Sequence, residues 1–86
     1  MKISVRLFGA LSDYAAGQPL EFELAAGQCM ADLRAVLQER LEATVPGFRP
    51  ALLRCSAFAD SRQILHERDP LPADGEVAVL PPVSGG

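Results

Sequence analysis

The segment Glu76-Val77-Ala78-Val79-Leu80-Pro81-Pro82-Val83-Ser84-Gly85-Gly86 decides how this chain is read. Its first five residues are valine-rich and almost continuously apolar, the pattern of a central strand covered on both faces. The run feeds into two prolines and then a bare glycine pair. Glycine is about 7% of average composition, so a terminal Gly-Gly arises by chance in roughly one chain in 200. Alone it would be a frayed end, the default for termini. Behind a stiff Pro-Pro spacer on a small apolar domain, it suggests a carboxyl terminus that is threaded into another protein's active site.

Working outward, the other end of the chain supplies a partner for that strand. Met1 to Phe8 alternates, with Ile3, Val5 and Leu7 on one face and Lys2, Ser4, Arg6 and Phe8 on the other, which predicts a half-buried strand. Phe8 falls on the polar side as an exposed aromatic. Gly9 to Pro19 reads as a connection with a short helical turn around Leu11 to Ala15. Leu20, Phe22 and Leu24 then alternate inward as a second strand of a long-looped hairpin.

After Gly27 the apolar period changes. Met30, Leu33, Leu37 and Leu41 share a stripe with Val36 beside it, and charged residues cover the other faces, which predicts an amphipathic helix. Cys29 and Asp32 occupy the places of a capping box, although sulfur is a weak acceptor, so Cys29→Ser is expected to stabilise the helix by about 0.5–1 kcal/mol. Pro46, Gly47 and Pro50 end the helix. Ala51 to Ala59 reads as a third strand with Leu53, Cys55 and Ala57 inward. Asp60-Ser61-Arg62 is a turn, Gln63-Ile64-Leu65 a short strand, and 66–75 an exposed loop ending at Asp74-Gly75.

The resulting fold class is α+β: a mixed sheet of about five strands in ββαββ order, with one main helix packed on one face. The first and last strands are expected to be neighbours at the centre, the β-grasp or ubiquitin-like arrangement. A ferredoxin-like layout needs a second helix, which the prolines between residues 44 and 75 disfavour. Residues 1–80 form the domain and 81–86 an extended tail.

Composition bounds the function. The 86 residues carry a formal net charge of -3 and are 49% hydrophobic, which argues for one small packed domain and gives nucleic-acid binding no electrostatic support. Cys29 and Cys55 are far apart, without disulfide-framework or metal-site spacing. No signal peptide or membrane span is expected, and a cytoplasmic location is the natural reading. His66 lies among Glu67, Arg68 and Asp69 and reads as a solvated side chain. Ser84 has no triad partners, and no phosphate-binding glycine loop occurs. What remains is the terminus.

The motifs Leu7-Phe8-Gly9, Cys29-Met30-Ala31-Asp32-Leu33 and the ending from Asp74-Gly75 to Gly85-Gly86 together resemble the small, sulfur-carrying subunit of molybdopterin synthase, the MoaD type of the ubiquitin-like sulfur carriers. The resemblance covers the whole chain, and its specificity lies in the ending. Ala59-Asp60-Ser61 departs from the Val-Asn pair common at that place in the family.

The resemblance implies a mechanism. An ATP-dependent activating enzyme adenylates the Gly86 carboxylate, a sulfur donor displaces AMP, and the resulting C-terminal thiocarboxylate (1-thioglycine) gives its sulfur to a cyclic pyranopterin precursor. No cofactor is bound permanently, and the catalytic side chains belong to the large subunit, in a heterotetramer of two small and two large chains. Gly85 and Gly86 are the reacting end, slim enough to enter a channel. Pro81 and Pro82 favour an extended conformation. From Val83 to Gly86 the tail reaches at most about 14 Å, so the body must dock beside the site. Phe8, Leu80 and Ile64 are the candidates for that docking face, with Pro81, Pro82, Val83 and Ser84 following the tail into the partner. Two other readings remain open on the residues alone: a carrier for thiamin thiazole or cysteine synthesis, and a ubiquitin-like modifier conjugated through Gly86.

Overall fold

The computed structural model describes residues 1–82. Its elements are β1 (Lys2–Leu7), a 3-10 segment (Gly9–Ala15), β2 (Leu20–Glu23), α1 (Met30–Thr44), α2 (Pro50–Arg54), β3 (Ala57–Ala59), β4 (Ile64–Leu65) and β5 (Glu76–Leu80). The five strands form one mixed sheet in the order β2-β1-β5-β3-β4. β1 and β5 are therefore the central pair, as their apolar alternation predicts. They run parallel, with Val5 opposite Val77 and Leu7 opposite Val79, while β2 and β3 flank them antiparallel.

α1 crosses one face of this sheet. Its stripe of Met30, Leu33, Leu37 and Leu41 is buried against Ile3, Val5, Phe22, Phe58, Val77 and Val79. A 15-residue helix is marginal alone in water. Burying four such side chains contributes about 1.5–3 kcal/mol each, so the sheet holds the helix more firmly than propensity does. Its first turn is satisfied from outside: the Met30 and Ala31 N–H groups donate to the carbonyls of Asp69 and Glu67, each at 2.9 Å. The Asp32 carboxylate accepts the Cys29 N–H at 2.9 Å, completing that half of the capping box. The loop read as merely exposed thus closes the helix start, and His66 in it is exposed.

Three expectations change. First, Ala51 to Ala59 is not one strand. Pro50 takes the first position of α2, where its fixed φ and missing N–H suit a helix start. Leu53 is buried as part of that turn, Cys55 is exposed, and the strand that follows is only Ala57–Ala59, with Phe58 inward. Leu53 and Cys55 mimicked a period of two, but Ala-Leu-Leu-Arg after a proline is also a good helix opening. The element order is therefore ββααβββ, with α2 too short to cover a second stretch of sheet. Second, β5 is covered on one face only: Val77 and Val79 are buried, whereas Glu76 and Leu80 are exposed. The small Ala78 on the open side made the run look apolar throughout. Third, β2 ends at Glu23, and Leu24 is buried beyond it with its N–H on the Met1 carbonyl at 2.9 Å.

Among the described residues, no helix is long and apolar enough to cross a membrane.

Candidate functional site

The sheet face away from α1 is open, and its composition changes along the strands. At the start of β1 and β5 it is polar: Lys2 pairs with Glu21 at 3.4 Å, and Ser4 stands opposite Glu76. Toward the strand ends it becomes apolar. The register puts Arg6, Ala78, Ala59 and Ile64 in one row, and Leu80 with Ala57 in the next. Phe8 follows directly after β1 and donates its N–H to the Val79 carbonyl at 3.1 Å, so it stands beside Leu80. Neighbouring strands are about 4.8 Å apart, which makes Phe8 and Leu80 contact neighbours and sets Ile64, two strands over and one row back, about 12 Å from Leu80.

The sequence singled out Phe8, Leu80 and Ile64, and the structure brings all three to this face. They are 41%, 38% and 47% exposed, the only large apolar side chains other than Met1 to be exposed among the described residues. Single exposed apolar residues are ordinary. Here they gather at the end of the sheet from which the tail departs. Between Phe8 and the β3–β4 turn lies a depression of about 210 Å³, whose lining includes Arg6, Phe8, Asp60, Asp74, Glu76 and Ala78. The turn is fixed by the Asp60 carboxylate, which accepts the N–H groups of Arg62 and Gln63 at 2.7 and 2.8 Å. Those backbone donors hold the Asp60 carboxyl below its usual range.

The tail leaves from a built corner. Pro81 is half-buried and lies against Gly9, while Pro82 is exposed. The corner is stiffened by the 3-10 segment: Leu11 is fully buried and donates its N–H to the Phe8 carbonyl at 3.1 Å, and Ser12 Oγ donates to the Gly9 carbonyl at 2.8 Å. Upstream, Gly75 accepts the Ser4 N–H at 2.7 Å where β5 begins. The expected residues Val83, Ser84, Gly85 and Gly86 lie outside the described residues.

Sequence reasoning quoted Leu7-Phe8-Gly9 as a motif without seeing why it holds together. Leu7 is in the core, Phe8 is on the open face, and Gly9 lies under Pro81. Nothing local in the sequence links positions 9 and 81. The expected pairing of the first and last strands brings the two segments together, but only the register, with Leu7 opposite Val79, sets Gly9 beside Pro81. Among the described residues, no group of three or more His, Cys, Asp or Glu side chains is arranged to hold a metal ion.

Comparison with known proteins gives the family. The model of the ThiS family matches residues 5–86. The chain is similar in structure to SAMP1 from Haloferax volcanii, with a TM-score of 0.70 at 24% identity over 100% of both chains. It is also similar to a chain in the protein–protein complex of subunits 1 and 2 of molybdopterin-converting factor from Helicobacter pylori 26695, with a TM-score of 0.66 at 25% identity, again over 100% of both chains. A comparison with curated proteins finds no match. The five-stranded mixed sheet with its packed helix is the β-grasp fold of these neighbours. With the family model spanning all but the first four residues, this chain belongs to the ThiS family of ubiquitin-like sulfur carriers.

Proposed function

We propose that this chain is the sulfur-carrying small subunit of a molybdopterin synthase. The observation that carries the reading is the coincidence, at one end of the sheet, of an apolar docking pair and the departure of a Pro-Pro-Val-Ser-Gly-Gly tail. Phe8 and Leu80 flank the point where Pro81 leaves β5. A tail that reaches at most about 14 Å from Val83 to Gly86 delivers its end only if the body binds next to the acceptor site, and an apolar pair beside the exit suits such a surface. The full-length likeness to a subunit of the two-subunit molybdopterin-converting factor supports a large-subunit partner in particular.

In this reading the Gly86 carboxylate attacks the α-phosphate of ATP in an adenylating enzyme and releases pyrophosphate. A sulfur nucleophile then displaces AMP from the glycyl adenylate and leaves the C-terminal thiocarboxylate. Within the synthase, a heterotetramer of two small and two large subunits, the thiocarboxylate sulfur is transferred to the cyclic pyranopterin precursor. The carrier's terminus is consumed and must be recharged in the cytoplasm. Glycine at 85 and 86 leaves the acyl carbon uncrowded during both steps.

The test is co-expression with an activating enzyme and a sulfur source, followed by intact-mass measurement and assay with the large subunit. The expected result is replacement of one oxygen by sulfur at Gly86 and formation of molybdopterin. A protein lacking Gly86 that still supports molybdopterin formation refutes the proposal. Thiocarboxylate formation with product only in a thiazole or cysteine assay moves the protein to another pathway. Higher-mass conjugates that vanish on deletion of Gly86 identify a modifier instead.

A further inference from the structure

Gly9 combines two features that are separable by mutation. Its backbone is left-handed, with φ at +59°, and a Cβ built there would come 2.8 Å from Pro81 Cγ and 3.5 Å from Pro81 Cδ. Gly17 is left-handed too, at φ +77°, but a Cβ there would meet nothing within 4 Å. Backbone conformation explains glycine at both positions. Of these two, Gly9 alone has a second chain segment in the space of the missing side chain.

The place of that contact matters. The parallel register pairs Leu7 with Val79, so that Phe8 follows beside Leu80 and Gly9 beside Pro81. Pro81 has no N–H and cannot extend the ladder. Its pyrrolidine ring instead lies over Gly9, whose backbone is held by the Leu11 N–H on the Phe8 carbonyl and by Ser12 Oγ on the Gly9 carbonyl. We infer that Gly9 is a positioning residue for the sulfur-carrying tail: the space over its Cα seats Pro81 and so fixes where the chain leaves β5.

This inference rests on the sulfur-carrier reading for its consequence, but not for its geometry. Unseating Pro81 would change where the chain beyond it is presented to an enzyme, and reacting groups tolerate a misplacement of only about 1 Å. The body would still dock, because Phe8, Leu80 and Ile64 are untouched. Misdirection therefore lowers turnover and leaves affinity alone.

The experiment uses the full-length chain and its adenylating enzyme, with ATP and a sulfur source, and reads kcat and KM for thiocarboxylate formation by intact mass. Wild type is compared with Gly9→Ala, Gly17→Ala, Pro81→Ala and the Gly9→Ala/Pro81→Ala pair. A partner-free readout, nuclear Overhauser contacts between the Gly9 α-protons and the Pro81 ring, is recorded on the same samples.

The expected result is that the contacts are present in wild type and lost in Gly9→Ala. Gly9→Ala should lower kcat about tenfold with KM within about twofold, while Gly17→Ala leaves both unchanged. In the Pro81→Ala background, which has no Cγ or Cδ to meet, Gly9→Ala should cost no further loss, which is the signature of direct coupling.

The inference is overturned by absent Gly9–Pro81 contacts in wild type, by equal kinetics for Gly9→Ala and Gly17→Ala, or by additive losses in the double variant. Should Gly9→Ala not fold, Pro81→Ala alone decides: it must lower kcat without moving KM or the melting temperature. If wild type gains no sulfur although the contacts are present, the sulfur-carrier reading fails while the seat itself stands.

Discussion

Gly75→Ala should be among the most damaging single-methyl changes in this protein, although it adds only one carbon at a loop end. Gly75 has φ at +72° and is buried at the entry to β5. An added Cβ would lie 2.6 Å from the Lys2 carbonyl oxygen, which belongs to backbone and cannot swing aside. Left-handed backbone costs a non-glycine residue about 1–2 kcal/mol. Relieving the clash separates β1 from the start of β5 and stretches the 2.7 Å Ser4–Gly75 hydrogen bond, worth about 1 kcal/mol net and more if its buried groups are left unpaired. The sum is about 3 kcal/mol. At about 4–8 °C per kcal/mol for a domain of this size, the melting temperature should fall by about 12–24 °C. Circular dichroism melts of Gly75→Ala beside Gly17→Ala separate the two causes, since Gly17 has similar backbone strain and open space around it. Gly17→Ala should lose about 4–16 °C, less than Gly75→Ala by the whole contribution of the clash and the stretched bond. Equal melting temperatures for the two variants would show that the approach of Lys2 to Gly75 contributes nothing, and the reasoning would fail.

Three further outcomes are expected. Under the proposed function, Phe8→Asp and Leu80→Asp, both at partly exposed positions, should each leave the domain folded by circular dichroism yet weaken binding to a large-subunit partner about tenfold or more by calorimetry; unchanged affinity would remove the docking face. Cys29→Ser should raise stability by less than about 0.5 kcal/mol in urea titration, below the gain expected from sequence, because the first amides of α1 already donate to Asp69, Glu67 and the Cys29 carbonyl. A gain of a full kcal/mol would mean that those bonds are not made in solution. For Asp60, backbone donors lower the folded-state pKa below its ordinary 3.8. Its stabilising effect is therefore fully present above that value and is lost as pH falls through the folded one. As pH falls below 3.8, wild type should lose more stability than Asp60→Ala, and parallel acid limbs would contradict this.

How far the fold could be read from sequence follows from how local its signals are. The alternation of Ile3, Val5 and Leu7 and the three-and-four spacing from Met30 to Leu41 each report one buried face, and both appear as expected. The central placement of β1 and β5 followed from their apolarity. The segment after Pro50 misled because five residues are too few to show a helical period, so Leu53 and Cys55 passed for a strand. The candidate docking residues were legible for a different reason: Phe8 breaks the polar side of its own strand, and such a break is visible without tertiary knowledge. What sequence could not supply were contacts between distant segments. The Asp69 and Glu67 carbonyls on the start of α1, and Pro81 over Gly9, involve residues with no shared local pattern.

The central pairing of β1 with β5 also bears on force. Tension applied to the tail, as when one enzyme grips it while another holds the body, runs along the axis of β5. That strand is bonded to β1 on one side and to β3 on the other, with hydrogen bonds that lie across the pull. All of them are loaded together in shear, so none can be opened before its neighbours. The two-residue edge strand β4 is bonded on one side only, and a pull there would peel it away bond by bond. A chain whose last strand lies in the middle of its sheet can thus be pulled from that end without unravelling the domain behind it.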